Sequence, residues 1–457
     1  MSGESAMAAP RAGAAVHPIR DDLRRLARLA GPVVAARVGV MTMGLTDTVV
    51  VGRYSAEQLG YLALGWAGTS AVLGSAMGLL SGVQVMASRA LGEGRPEATG
   101  GVLRRGLVYG FWIGVAGAIA LCLGGPLLLS AVGLKGGLAK GASGPLIILA
   151  LSMPSFAIGS AASSWLEGLG RTTPPMVLMW IANALNLGVD LALVPGRFGL
   201  PALGADGAAI ATAASRGFLA LATLGWIASM RDARPLGVFR RPAPSRVAAI
   251  EQRRIGYGSA ASNFFEMGAF SSMNFIAGWI GPLTVAAWAV TLNVLAFIFM
   301  IPLGLATATA VLVARAYGAS DPAGVKRAAA VGFAVTTVFG VIMGALVWPN
   351  AGRIAPLFTG DARTLAMGVG ALALSAIFYL PDGLQVVAAQ ALRARGDVLV
   401  PTFTHLTSYI VVMLPLGYLL AIGAGWGLSG IVWAVIVASY VSAGLLLARF
   451  WVLARRD

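Results

Sequence analysis

Residues 78–96 read GLLSGVQVMASRALGEGRP, and 226 positions later the chain reads GLATATAVLVARAYGASDP (304–322). Seven of nineteen aligned positions are identical without a gap, among them Arg89 and Arg315, Gly92 and Gly318, and Pro96 and Pro322. The same offset carries Leu166, Gly170 and Pro175 onto Leu392, Gly396 and Pro401. After a three-residue slip, Gly204 and Gly207 fall on Gly427 and Gly430. Two glycine- and alanine-rich helical stretches can resemble one another by chance, but a near-constant offset across three separated blocks argues for two copies of one unit.

Composition says where that unit resides. Of 457 residues 58% are hydrophobic and only 11% charged, with a mean hydropathy of +0.81. A soluble globule carries about 25% charged residues, so the chain reads as a polytopic membrane protein. Its apolar runs, each near the roughly 20 residues that a span requires, fall at 30–52, 58–86, 102–128, 144–168, 174–196, 204–228, 255–280, 283–313, 328–350, 366–391, 400–423 and 428–451. The expected architecture is an all-α membrane protein of twelve transmembrane helices in two six-helix lobes. An even number of spans per copy gives both copies one orientation, hence a pseudo-two-fold axis along the membrane normal.

The expected divisions are a tail (1–28), a first lobe (29–228), a basic linker (229–253) and a second lobe (254–453). The tail has five arginines and no apolar run long enough for a signal peptide. The stretch ASMRDARPLGVFRRPAPSRVAAIEQRR (228–254) holds seven arginines and three prolines and is too short for a soluble domain. With the tail inside, inner segments hold 25 basic residues and outer loops six (Arg53, Lys135, Lys140, Arg197, Arg353 and Arg363). Arg37 and Arg216 fall within spans. The asymmetry predicts cytoplasmic termini, as in a multi-pass protein of a bacterial inner membrane. It also accounts for the net charge of +15 without nucleic acid. Cys122 is the only cysteine and His17 and His405 the only histidines, so neither a disulfide nor a Cys- or His-based metal site is expected.

Four acids lie inside apolar segments: Asp47, Asp190, Glu266 and Asp382. Such residues are costly in a membrane and mark functional sites by default. None repeats, since at the 226 offset Asp47 meets Met273, Glu266 meets Val40 and Asp382 meets Phe156. A low-dielectric setting disfavours the ionised carboxylate, so such a group can exchange a proton near neutral pH, or accept Na⁺ or an organic cation in its place. That competition suffices for antiport. Asn186 and Asp190, four residues apart, share a helix face and with Asp47 could form an oxygen-rich cluster, with Thr212 a weaker member. Na⁺ would sit there, or at Glu266 and Asp382.

Each acid has a plainer reading. Ten residues of helix put Arg37 about 15 Å from Asp47, too far for pairing. Asp190 could be a structural acceptor, and Asp382 a cap or bend after Pro381. Glu266 has no basic residue within two turns. Arg216 is expected to snorkel to the interface rather than pair with an acid. Among nearby aromatics, Phe265, Trp288 and Tyr379 could line a pocket for flat cations, though packing is the commoner role.

Several stretches then resemble the multidrug and toxic compound extrusion (MATE) transporters in order and spacing: GPVVAARVGVMTMGLTDTVVVGRYS (31–55), the 78–95 block, NALNLGVD (183–190) and FFEMGAFSSMNFIAGWIG (264–281). YLPDGLQVVAAQALRARGD (379–397), SYIVVMLPLGYLLA (408–421) and GWGLSGIVW (425–433) complete the series. The resemblance implies a V-shaped cavity between two lobes and export of amphipathic, mostly cationic compounds against inward H⁺ or Na⁺, with no other cofactor. By position, Asp47 resembles the span-1 aspartate whose protonation is thought to bend that helix. Glu266 and Asp382 resemble acids of the NorM-like branch, and Asn186 and Asp190 a network of the DinF-like branch. The expected partners are small organic cations and the bilayer, for a stand-alone monomer.

Rivals remain. A lipid or lipid-linked saccharide flippase of the same superfamily would need basic cavity residues for phosphates, and only Arg37 and Arg216 qualify. The chain has no Gly-Lys pair and so no Walker A loop for an ATP-driven pump. A membrane enzyme would show paired aspartates or a histidine cluster, and a channel would not need two lobes.

Overall fold

The computed structural model describes residues 18–131, 137–197, 199–240 and 245–456. Residues 1–17 of the tail with His17, Lys135 of an outer loop and 241–244 of the linker lie outside the described residues. The first half comprises α1 (Pro18–Tyr54), α2 (Ala56–Gly92), α3 (Ala98–Ala131), α4 (Leu138–Leu151), α5 (Met153–Gly168), α6 (Thr173–Leu193) and α7 (Ala205–Ser229). The second comprises α8 (Arg246–Ile280), α9 (Pro282–Gly318), α10 (Pro322–Ile354), α11 (Ala362–Ser375) and α12 (Tyr379–Ala394). It ends with α13 (Leu399–His405), α14 (Leu414–Tyr418) and α15 (Leu428–Arg456). Two π-helical stretches, Leu406–Met413 and Leu419–Gly423, join α13 and α14 into one span. No strand occurs among the described residues.

Helix ends follow local chemistry. Ser55 and Asp321 cap α2 and α10 by accepting from Gln58 N and Gly324 N, and Pro322 occupies the first turn of α10. α1 and α8 begin earlier than the spans read from the sequence, at Pro18 and Arg246, because an amphipathic helix continues past the apolar core into the basic segments.

Nine described helices are long and apolar enough to cross a membrane. The number is eleven if two bent pairs, α4 with α5 (42°) and α11 with α12 (53°), each count as one span. The sequence predicts twelve. The shortfall is α8, where four serines and two asparagines between Ser259 and Asn274 join Glu266 in diluting the apolar residues. A helix this polar lies against protein rather than lipid along part of its surface.

The helices keep the offset of the sequence blocks. α2 and α9 both have 37 residues and begin 226 positions apart, at Ala56 and Pro282. The two bent pairs break at Ser152 and just before Tyr379, again the same step. The halves meet where α2 packs on α8 and α9, and where α1 packs on α9. Small residues permit close approach there. A Cβ on Gly78 would lie 2.6 Å from Ala260 Cα, and one on Gly304 2.4 Å from Val34 Cγ2. These two contacts are one another's images under the offset.

Hydrogen bonds across the interface run from mid-α2 to its C-terminal end. Asn263 Nδ2 donates to Gly74 O (3.4 Å), Ser81 Oγ pairs with Ser259 Oγ (2.8 Å) and Gln84 Nε2 donates to Thr307 O (3.0 Å). Toward the start of α2 the halves share no such bond among the described residues. The linker is docked on the first half. Gly100 N and Thr99 Oγ1 donate to Leu236 O, Arg104 Nη2 donates to Val238 O, and Arg171 pairs with Asp232.

Candidate functional site

Buried oxygen atoms in the first half converge on Asp47. The packing of α1, α6 and α7 brings Asn186 Nδ2 to 2.9 Å from Asp47 Oδ1 and Thr212 Oγ1 to 2.7 Å from Asp47 Oδ2. Asp190 lies one turn beyond Asn186 and its carboxyl group faces that of Asp47. Asp47, Asn186 and Asp190 are each 0% exposed. Three oxygens of this cluster have no hydrogen-bond donor: Asn186 Oδ1 and both carboxyl oxygens of Asp190. Two facing carboxylates cannot both stay ionised in a dry site without a cation between them. A bound proton, or a hard cation that takes oxygen ligands, fits this donor set.

Arg216 departs from its expected position. It is buried on α7, one turn after Thr212, and does not snorkel. Its Nη1 donates to Ser152 Oγ (2.8 Å) and Leu149 O (3.4 Å), and its guanidinium lies 5.4 Å from the Trp66 ring centre and 5.3 Å from that of Phe156. The break between α4 and α5 supplies the reason. Leu149 O and Ser152 lie at that break, where Ser152 N and Oγ both donate to Leu149 O (3.3 and 2.7 Å), and Arg216 joins this capping group from inside the bundle. Arg37 also has a partner, Glu167 Oε1 at 3.7 Å.

The second half has its own cluster. Glu266 Oε1 accepts from Gln385 Nε2 (3.2 Å) and Tyr409 OH (3.3 Å), and Gln385 Nε2 also reaches Asp382 Oδ1 at 3.5 Å. Gln385 therefore links the two acids, one turn from Asp382 on the same face of α12. Tyr409 comes from the first π-helical stretch, a local geometry that often marks functional sites. Neither Gln385 nor Tyr409 is among the residues that the sequence reading selects. Tyr409 sits in a run that reads as plain apolar span, while the position of Gln385, three residues after a buried acid, is the available signal.

Of the three aromatics expected near a pocket, Phe265 is half-buried, while Trp288 and Tyr379 are packed inside the second half. Tyr379 OH shares a hydrogen bond with Ser375 Oγ (3.2 Å). The two acid clusters stay separate, one in each half.

The sequence profile of the family described as MatE matches this chain twice, over residues 32–191 and 259–419. The chain belongs to the MatE family. This MatE protein is 55% identical over 440 residues (96% of the chain, 93% of the relative) to the probable multidrug resistance protein NorM of Caulobacter vibrioides. It is 30% identical over 406 residues (88% and 85%) to the multidrug resistance protein PmpM of Pseudomonas aeruginosa. Its fold superposes on the crystal structure of the eukaryotic MATE transporter AtDTX14 with a TM-score of 0.87, at 20% identity, over 96% of this chain and 98% of that one. The MatE chain is thus a multi-pass membrane transporter rather than an enzyme, and the two profile matches fall one in each half.

Proposed function

We propose that this MatE protein is a secondary antiporter that exports amphipathic, mostly cationic drugs or toxic compounds in exchange for H⁺ or Na⁺. The carrying observation is the set of three donorless oxygens beside Asp47, a site that needs a cation and is sealed from lipid. The coupling ion occupies Asp47, Asn186 and Asp190 of the first half, with Thr212 holding the Asp47 carboxylate in place. Glu266 and Asp382, linked by Gln385, take the organic cation. Similarity to two multidrug resistance proteins supports the substrate class. Substrate binds between two lobes (29–228 and 254–453), with both termini on the cytoplasmic side of a bacterial inner membrane, and a monomer suffices.

The two span arginines that the sequence reading singles out have protein partners, Arg37 in Glu167 and Arg216 in Ser152 and Leu149. The test is transport of a fluorescent organic cation into liposomes under an imposed pH gradient or an imposed Na⁺ gradient. One of the two gradients should drive uptake and so name the ion. Uptake under neither, in folded protein, would overturn the antiport reading.

Glu266→Gln keeps an acceptor for Tyr409 and Gln385 but removes the charge. Its affinity for organic cations should fall roughly tenfold, the low end for losing a buried charge partner, while an uncharged substrate is unaffected. Direct binding measurements with a cationic and a neutral dye check this, and equal affinities in the variant and the wild type would refute it.

A further inference from the structure

Two arginines reach across the interface in opposite directions. Arg89, near the end of α2, is buried, with Nη1 2.6 Å from Glu251 Oε1 on α8. Its Nε donates to Ala394 O (3.0 Å) and its Nη2 to Arg393 O (3.3 Å) at the end of α12, and its guanidinium lies 4.9 Å from the Tyr317 ring centre. All these partners belong to the second half. Arg315, the counterpart of Arg89, returns the contact, because its Nη2 donates to Gly168 O (3.4 Å) at the end of α5. Gly168 and Ala394 are themselves 226 positions apart. Carbonyls at a helix C-terminus lack intrahelical partners, so each arginine caps the bent span of the opposite half.

The main chains interlock at the same place. A Cβ on Gly92 would lie 2.1 Å from Arg315 O, and one on Gly318 2.3 Å from Arg89 O. Symmetry fails at the Tyr317 ring, whose counterpart is Leu91, and at the counter-ion. Glu251 follows Arg25 by 226 positions, so Arg89 has a carboxylate where Arg315 has another arginine within electrostatic reach. Arg315 Nε is buried without a partner. A cavity of about 660 Å³, lined by Arg89, Glu93, Glu251, Tyr317, Asp321 and Arg395 among others, borders the charged pair from outside.

We propose that Arg89 and Glu251 are the latch that holds the halves closed at this end and must part once in every transport cycle, with Arg315 forming a second, uncompensated contact. Both are positioning residues and touch no substrate. The latch rests on the transporter reading but not on which ion or compound is carried.

The test uses full-length protein in oriented liposomes, with Cys122→Ser and Ser259→Cys as the reporter. Ser259 is 2% exposed and bonded to Ser81 behind the latch. A membrane-impermeant maleimide is applied from the side of the linker. Glu251→Gln, at a side chain 44% exposed, leaves the fold intact and should speed labelling about three- to fivefold, the scale of a solvent-screened ion pair. Arg25→Glu, which supplies the missing carboxylate to Arg315, should slow both labelling and turnover by a comparable factor. Unchanged labelling in a Glu251→Gln protein of normal thermal stability would overturn the latch, as would faster or unchanged labelling in Arg25→Glu. Labelling requires neither drug nor coupling ion, so a wrong substrate assignment leaves its outcome intact.

Discussion

Asp47→Asn should lower ion-driven efflux about 100-fold or more, the scale expected when a group that carries a proton is lost, while the protein still reaches the membrane. Geometry supports both parts of that expectation. Asparagine is isosteric with aspartate, its oxygen can still accept from Asn186, and its amide can donate to Thr212 Oγ1, so α1, α6 and α7 stay packed. What disappears is one of two facing carboxyl groups. Asp190 would then sit beside a permanently neutral amide, so position 47 could no longer alternate between an ionised carboxylate and one neutralised by the coupling ion. Dye efflux and ion uptake measured on the same vesicles distinguish this from misfolding. Wild-type rates in the variant would remove Asp47 from the mechanism. Thr212→Ala, which deletes one hydrogen bond but no charge, should have a much smaller effect.

A second large effect is expected on stability. Gly82 of α2 faces α8 so closely that a Cβ would lie 2.0 Å from Gln252 O. Gly82→Ala must push the two main chains apart. Gln252 cannot yield freely, because its Oε1 accepts from Arg105 Nε (3.2 Å) and its Nε2 donates to Val102 O (3.3 Å). The loss should be about 1–3 kcal/mol, the usual range for overpacking, visible as a lower unfolding midpoint in detergent. An equal midpoint would mean that the halves can shift at this contact without cost.

The sequence exposes some of this and hides the rest for physical reasons. The offset between the two copies is a property of the chain, so the matching lengths of α2 and α9 are legible in the amino-acid order itself. Asn186 and Asp190 belong to one helix face by spacing alone, and the structure places that face on Asp47. Partners contributed by other helices are a different matter. The expectation that Arg216 reaches the interface rests on the common behaviour of long cations near span ends. Its partners, Ser152, Trp66 and Phe156, belong to other helices, and helix-to-helix orientation leaves no periodic mark. Tyr409 is hidden in the same way, since its hydroxyl reaches Glu266 from a π-helical turn that an apolar stretch does not announce. The twelve-span count depends on α8, whose polar residues are those of the candidate site and its surroundings.

The docked linker bears on how strongly the two halves must attract one another. Residues 230–240 are held on the first half by Thr99, Gly100, Arg104 and Arg171, so only four residues separate Arg240 from Ser245 and the start of α8. A tether this short keeps the second half at an effective concentration in the millimolar range or above. The interface can therefore be far weaker than that of a permanent dimer and still never dissociate. Weak affinity across it is an asset, because a contact that must be undone at one end in every cycle opens faster when covalent connection rather than attraction keeps the two bodies together.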